Sequence, residues 1–471
     1  MASRKKKKRD TGTVIFWFIG IEVIILATVF TIVGILVVPT ILSRFNVSLS
    51  SLLPHIEDKS TVSEEVVPGQ VPDQNTPDNQ YEPEHRIEQI AVGEQAGEQQ
   101  SIQQTQEKIE QTSAIATTES PEPEEVLSTA RLVAAGDNKM GRFSTLSAKQ
   151  NDGIWYFYNH FVNVSDLFTE ADLAVISQDT VTAGEEYGLS DGEIYNTVPE
   201  LLDALSDTGI DVVLAANDHI LDKGRDGLEK MIGYMHSSHP EMTLLGVNEN
   251  GQQQNAPVFV EVNGIRIAMI NYTCEAGQAG PLDAEPFLVN LDNEEWLADM
   301  IARSKADADF VIVFPHWGER DNPGITQEQE SEAQLLADLG ADLIIGSYPG
   351  VVSTAQWIKG SGGNDVFVYY SLGYFQSTEV NTANMLGALA NITLTKTSRR
   401  TYIDSCGMDF LVTYYSQNAD ENSGVVTTFP WDSFTPELTE RHGIRSWDPG
   451  FTYEALDDLR KNILAGCSFK R

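Results

Sequence analysis

The chain has 471 residues, 41% of them hydrophobic, and carries a formal net charge of −38. A hydrophobic share of this size can build a core, while so acidic a balance excludes nucleic acid as a partner of the bulk of the protein. The three cysteines, Cys274, Cys406 and Cys467, lack C-x-x-C spacing, which argues against a zinc ribbon, a redox motif or a disulfide framework.

The first twelve residues form a basic tail holding Arg4, Lys5, Lys6, Lys7, Lys8 and Arg9, and an apolar run follows from Val14 to Val38. A run of this length spans a bilayer as one helix, placed at 13–43, and is too long for the core of a signal peptide. The basic cluster stays on the cytoplasmic side. The expected protein is therefore a single-pass protein of the cell membrane, its N-terminus cytoplasmic and its C-terminal domain extracellular. Glu22 interrupts the run; it meets either a partner helix or the headgroups. Residues 44–127 are rich in Pro, Gln and Glu and poor in aromatics. They cannot bury enough apolar surface to offset their ordering entropy, and read as a disordered acidic linker.

From Ser128 strands and helices alternate. Apolar runs predict strands at 131–135, 172–177, 211–216, 310–314, 342–346, 366–371 and 386–394, with helices over 198–208, from about 224, over 294–304 and over 329–339. The segments 258–262 and 265–271 flank Asn263-Gly264, a strong hairpin signal. Polar groups fall just after the strands: Asp137, Asp179, Asp218, His219 and His316. In α/β sheets ligand sites lie at the carboxyl ends of strands, so these residues point to one converging metal or phosphate site. Asp222 either orients His219 or, the preferred reading, caps the next helix. His160, His236 and His239 form no convincing ligand set.

The ordered series Ala135-Gly136-Asp137, Ala171 to Val175, Asp211 to His219, Leu221 to Gly224, Ala256-Pro257, His316-Trp317-Gly318-Glu319, Gly340 to Gly346 and Tyr370 to Phe375 resembles the CapA family of capsule and poly-γ-glutamate synthesis proteins. The resemblance implies an α/β fold over 128–396, a four-layer α/β/β/α metallophosphatase-like sandwich, with 397–471 an extension packing on it. It also implies metal ligands at Asp137, Asp179, Asp218 and His316, with His219 as the catalytic acid.

Two departures bear on the chemistry. The family's Gly-His-His-Pro-His segment reads Gly346-Ser347-Tyr348-Pro349-Gly350, and Tyr374 replaces an Asn. A full two-metal site is thereby in doubt. Three carboxylates and an imidazole suit one divalent cation, Mn²⁺ or Mg²⁺. Tyr348 and Gly350 are expected to shape a pocket for a sugar or peptide polymer.

Three roles remain open: synthesis, export or anchoring of a surface polymer; a non-catalytic scaffold or polymer-binding module; or a metal-dependent phosphoesterase of the envelope. Expected partners are the membrane, surface-polymer synthesis proteins and an anionic polymer or glycan.

Overall fold

A computed structural model describes residues 124–277, 280–418 and 423–470. The basic tail, the apolar run and the linker up to residue 123 lie outside the described residues. Among the described residues no helix is long and apolar enough to cross a membrane.

Two sheets make up the folded part. The first contains β1 (Val126–Asn138), β2 (Leu173–Ser177), β3 (Val212–Leu214) and β4 (Thr243–Leu245). It is completed by β11 (Tyr374–Gln376), β12 (Leu386–Thr397), β13 (Thr401–Gln417) and β14 (Gly424–Pro430). Its order is β14-β13-β12-β1-β2-β3-β4, with β11 paired to the tip of β1. The second contains β5 (Val258–Val262), β6 (Ile265–Thr273), β7 (Phe310–His316), β8 (Leu343–Ile345), β9 (Ala355–Lys359) and β10 (Asp365–Tyr369). Its order is β5-β6-β7-β8-β10-β9.

Strands β1 to β4 run parallel, as do β6, β7, β8 and β10. Parallel strands are covered on both faces, which is why they read as continuous apolar runs. Alternation along them assigns the layers. Leu132 and Ala134 of β1 enter a core between the sheets with Val175, Val212, Ile267, Ile312 and Leu343. Val133 and Ala135 point the other way, onto Leu201 and Leu205 of α1 (Glu200–Thr208) and Met231 of α2 (Gly224–Ser238). On the far side Ala268, Val311 and Ile344 meet Leu297 and Ile301 of α3 (Glu294–Asp307) and Leu336 of α4 (Gln327–Leu339). The layers therefore run helices, sheet, sheet, helices.

Local signals explain the element ends. Gly209 and Gly340 stop α1 and α4 in the left-handed conformation. Helix α4 begins two residues before its expected start, because Thr326 and Gln329 close a reciprocal capping box. Asn263 and Gly264 both hold positive φ in the β5–β6 turn, as a two-residue hairpin requires. Residues 397–471, read from sequence as an extension, supply β13 and β14 to the first sheet. They also supply α5 (Tyr453–Gly466), whose Leu456 and Ile463 join the core between the sheets.

Candidate functional site

The carboxyl ends of β1, β2, β3 and β7 meet at one end of the sandwich. Asp137 lies at the tip of β1, Asp179 just after β2, Asp218 and His219 after β3, and His316 closes β7. All five side chains are buried and come together. His316 Nε2 lies 3.1 Å from Asp218 Oδ1 and 3.8 Å from Asp179 Oδ1, while its Nδ1 lies 3.8 Å from Asp137 Oδ1. His219 Nε2 is 3.4 Å from Asp218 Oδ2.

The tip of β1 is held by a backbone crossing. After Ala135 the partner of β1 changes from β12 to β11, and the register shifts between Ala135 and Asp137. A Cβ at Gly136 would lie 2.0 Å from Gly373 O, so a side chain at that position would force the two strands apart. The Asp137 amide donates to the same Gly373 carbonyl at 3.0 Å. Both Asp137 oxygens accept protein hydrogen bonds, from Ser177 Oγ at 2.5 Å and from the Tyr348 amide at 2.8 Å.

Tyr348 aims its amide this way by holding φ at 100°, a conformation that a bulky residue rarely adopts. Its neighbour Ser347 places Oγ 2.9 Å from His316 Nδ1. The segment that lacks the family's imidazoles thus orders Asp137 and His316 through hydrogen bonds.

Asp222 is not the cap of α2, contrary to the preferred sequence reading; the cap position belongs to Lys223. Asp222 Oδ2 lies 2.7 Å from His219 Nδ1 and accepts the Tyr195 amide at 2.6 Å. A carboxylate on one ring nitrogen holds the proton there and leaves the other nitrogen as a lone pair. Among the described residues, His219 Nε2 and Asp179 Oδ1 are buried without a hydrogen-bond partner. Two open acceptors beside Asp218 are what a cation needs, and Asp179, Asp218 and His219 could hold one together. The group Asp137, Asp179 and His316 also offers atoms within mutual reach, but there Asp179 Oδ1 alone is unpartnered, since both Asp137 oxygens and both His316 nitrogens are engaged.

Two cations at the site were not anticipated from sequence. Lys139 is buried, with Nζ 4.0 Å from Asp179 Oδ2. Arg320 donates Nη2 to Asp218 Oδ2 at 2.9 Å, its guanidinium 5.6 Å from the Tyr348 ring centroid. Their one sequence signal is position: Lys139 stands two residues after Asp137, and Arg320 four after His316.

The charges set the two central carboxyls apart. Burial pushes the Asp179 carboxyl well above the usual range, aided by the charges of Asp218 and Asp137 and opposed by Lys139 and Arg320. Burial acts the same way on Asp218. There it is outweighed by the His316 hydrogen bond and by the positive charge of His316 and Lys139, so that carboxyl lies well below the usual range.

Beside the cluster opens a small cavity lined by Thr273, Cys274, Glu275, His316, Trp317, Gly318 and Tyr348. Tyr348 lines this cavity. Gly350 does not line it; a Cβ there would press on the Tyr374 ring at 2.5 Å. Cys274, Cys406 and Cys467 are free thiols.

Fold and site together define a two-sheet α/β protein with an acidic and imidazole cluster, suited to a cation, at its strand ends. The chain belongs to the family of the bacterial capsule synthesis protein PGA_cap, whose model matches residues 131–379. It is 27% identical over 251 residues to the PGA biosynthesis protein CapA of Bacillus subtilis (strain 168), covering 51% of this chain and 61% of that one. It is 26% identical over 276 residues to the capsule biosynthesis protein CapA of Bacillus anthracis, covering 57% and 63%. The chain thus spans a little over three fifths of the length of each of these relatives. Among solved structures it is similar to the calcineurin-like phosphoesterase YfkN of Bacillus subtilis, at 12% identity and a TM-score of 0.38 over 70% of this chain and 99% of that one. It is also similar to a 5′-nucleotidase precursor of Thermus thermophilus, at 13% identity and a TM-score of 0.39 over 72% and 59%.

Proposed function

We propose that this chain serves the synthesis, export or anchoring of an anionic surface polymer of the capsule or poly-γ-glutamate type. In this reading it is held by the apolar run at 14–38, with its folded part outside the cytoplasm, and it works with one divalent cation, Mn²⁺ or Mg²⁺. Family membership supports the polymer class. The basic cluster before the apolar run supports the topology.

The observation that carries the cation is the pair of open acceptors, Asp179 Oδ1 and His219 Nε2, on either side of Asp218. These three residues hold the ion. Asp222 orients His219, and His316 orients Asp218. When bound, the ion supplies a Lewis acid to an anionic oxygen. His219, the expected general acid, is a ligand in this arrangement. Arg320 sits at the mouth and favours an anionic group.

A non-catalytic, polymer-binding role is the second reading, and the same cluster favours it. Lys139 and Arg320 supply positive charge where a phosphoesterase of two-metal design would need a second ion.

Calorimetric titration of the full chain in detergent with Mn²⁺ should find one site per chain, lost in Asp179→Asn. Expression of Asp179→Asn in the native host should reduce the surface polymer. Two tightly bound ions with robust phosphodiester turnover would replace this reading by the hydrolase one. Protection of the folded part from protease added to intact cells would reverse the topology.

A further inference from the structure

Resting on the one-cation reading, we propose that the Lys139 ammonium is a built-in cation standing in for a second metal ion at the acidic cluster. Lysine is almost never fully buried unless it is paired, yet Lys139 is 1% exposed. Its Nζ has no carboxylate at close contact: Asp179 Oδ2 lies at 4.0 Å and Glu379 Oε1 at 3.9 Å. It donates to Tyr374 Oη at 3.4 Å, and it sits over the Tyr195 ring at 4.5 Å and the Tyr374 ring at 5.4 Å. Aromatic faces stabilise a cation without neutralising it. The ammonium therefore keeps its field for the carboxylates nearby. Its backbone is fixed as well, because the Lys139 amide donates to Gln376 O at 2.9 Å.

The cluster divides into two halves. On one side two acceptors, Asp179 Oδ1 and His219 Nε2, are open, while Asp218 between them meets His316 Nε2 and Arg320 Nη2. On the side of Asp137 the protein supplies donors instead: Ser177 Oγ, the Tyr348 amide and, facing Asp179, the Lys139 ammonium. Three carboxylates in one buried cavity repel one another unless positive charge lies among them. A second divalent ion would meet that need elsewhere; here the side chain of the residue just after β1 does so. A fixed ammonium also repels an incoming ion and so limits the cluster to one.

The test compares the wild-type chain with Lys139→Met, which keeps the apolar stem and removes the charge. Mn²⁺ is titrated by calorimetry, and bound metal is counted after desalting. Thermal melting with and without Mn²⁺ checks the fold. Lys139→Met is expected to bind Mn²⁺ about tenfold or more tightly, or to take up a second equivalent. Unchanged affinity and stoichiometry, or weaker binding, would overturn the proposal. Should Lys139→Met fail to fold, Lys139→Gln, which keeps a donor for Tyr374, carries the same comparison. A wild-type chain that binds no Mn²⁺ beside a variant that binds one would remove the one-cation reading and leave Lys139 in its assigned role. One ion in each, with equal affinity, does the reverse.

Discussion

Tyr348 spends conformational energy to point one N–H at Asp137. A non-glycine residue held at positive φ is strained by about 1–2 kcal/mol, and the ring contributes packing through its edge-on contact with His316 at 5.1 Å between centroids. The two effects separate experimentally. Tyr348→Ala removes the ring and keeps the strain, whereas Tyr348→Gly removes both. The glycine variant should therefore be the more stable of the two by about 1–2 kcal/mol, read as the difference in urea unfolding free energy. Equal stability would mean that the backbone relaxes away from Asp137. The acidic and imidazole members of the cluster were legible in sequence as a set, because carboxylates or imidazoles recur after several apolar strands in the order of one family; singly, each strand-end Asp reads as readily as a turn former. Lys139 was not legible. Long cationic side chains ordinarily run along the surface with the charge in water, and nothing in local sequence says that this one turns inward. Asp222 was misread for a related reason: an Asp shortly before a helix is usually a cap, and only the fold reveals His219 within its reach.

Strand β12 shows what the C-terminal elements contribute. It pairs with β1 on one side and β13 on the other, and Phe410, Val412, Tyr415 and Val426 of β13 and β14 lie in the core between the sheets. Phe434, Ile444 and Phe451 continue that core beyond β14. A chain ending at Thr397 would expose these contacts and open a long edge on β12, a ready template for pairing with another molecule. Such a truncation is expected to be recovered as aggregate, whereas the full chain elutes as a discrete species on size exclusion. A soluble, cooperatively melting truncation would contradict this. The central parallel strands were legible as buried runs, and the β5–β6 hairpin from its turn pair. Strands β4 and β11 have three residues each, too few for any periodicity to register. In β13 burial does not alternate cleanly, and the segment around Gly407 carries no strand signal of its own.

Taken whole, the folded part should lose stability on the acid side of neutrality for a reason independent of the metal site. Burial pushes His160 down to about 4 against a hydrogen bond to Gln376 Oε1, and pushes His442 down to about 4 against one to the Thr413 carbonyl. In the unfolded chain each imidazole takes up a proton below about pH 6.5. Between about 6.5 and 4 the unfolded state thus binds more protons than the native one. The stabilisation from neutral imidazoles is complete above 6.5 and is lost as pH falls, at up to about 1.4 kcal/mol per unit for each histidine. The urea midpoint should fall steadily from pH 7 to 4.5, and less steeply in His442→Gln. A midpoint flat from pH 7 to 5 would contradict this.

The meeting of Gly136 with Gly373 also limits how this architecture can be varied. One segment of the backbone passes another there with no room for a methyl group, and the next few residues on each side are pinned in turn. An insertion at that seam would drive one strand through its neighbour. New chemistry in this cavity therefore has to come from exchanging one side chain for another on an unchanged scaffold. Freedom to lengthen or remodel belongs to exposed stretches such as 185–194, away from the packed floor, and not to 318–324, which carries Arg320 onto Asp218.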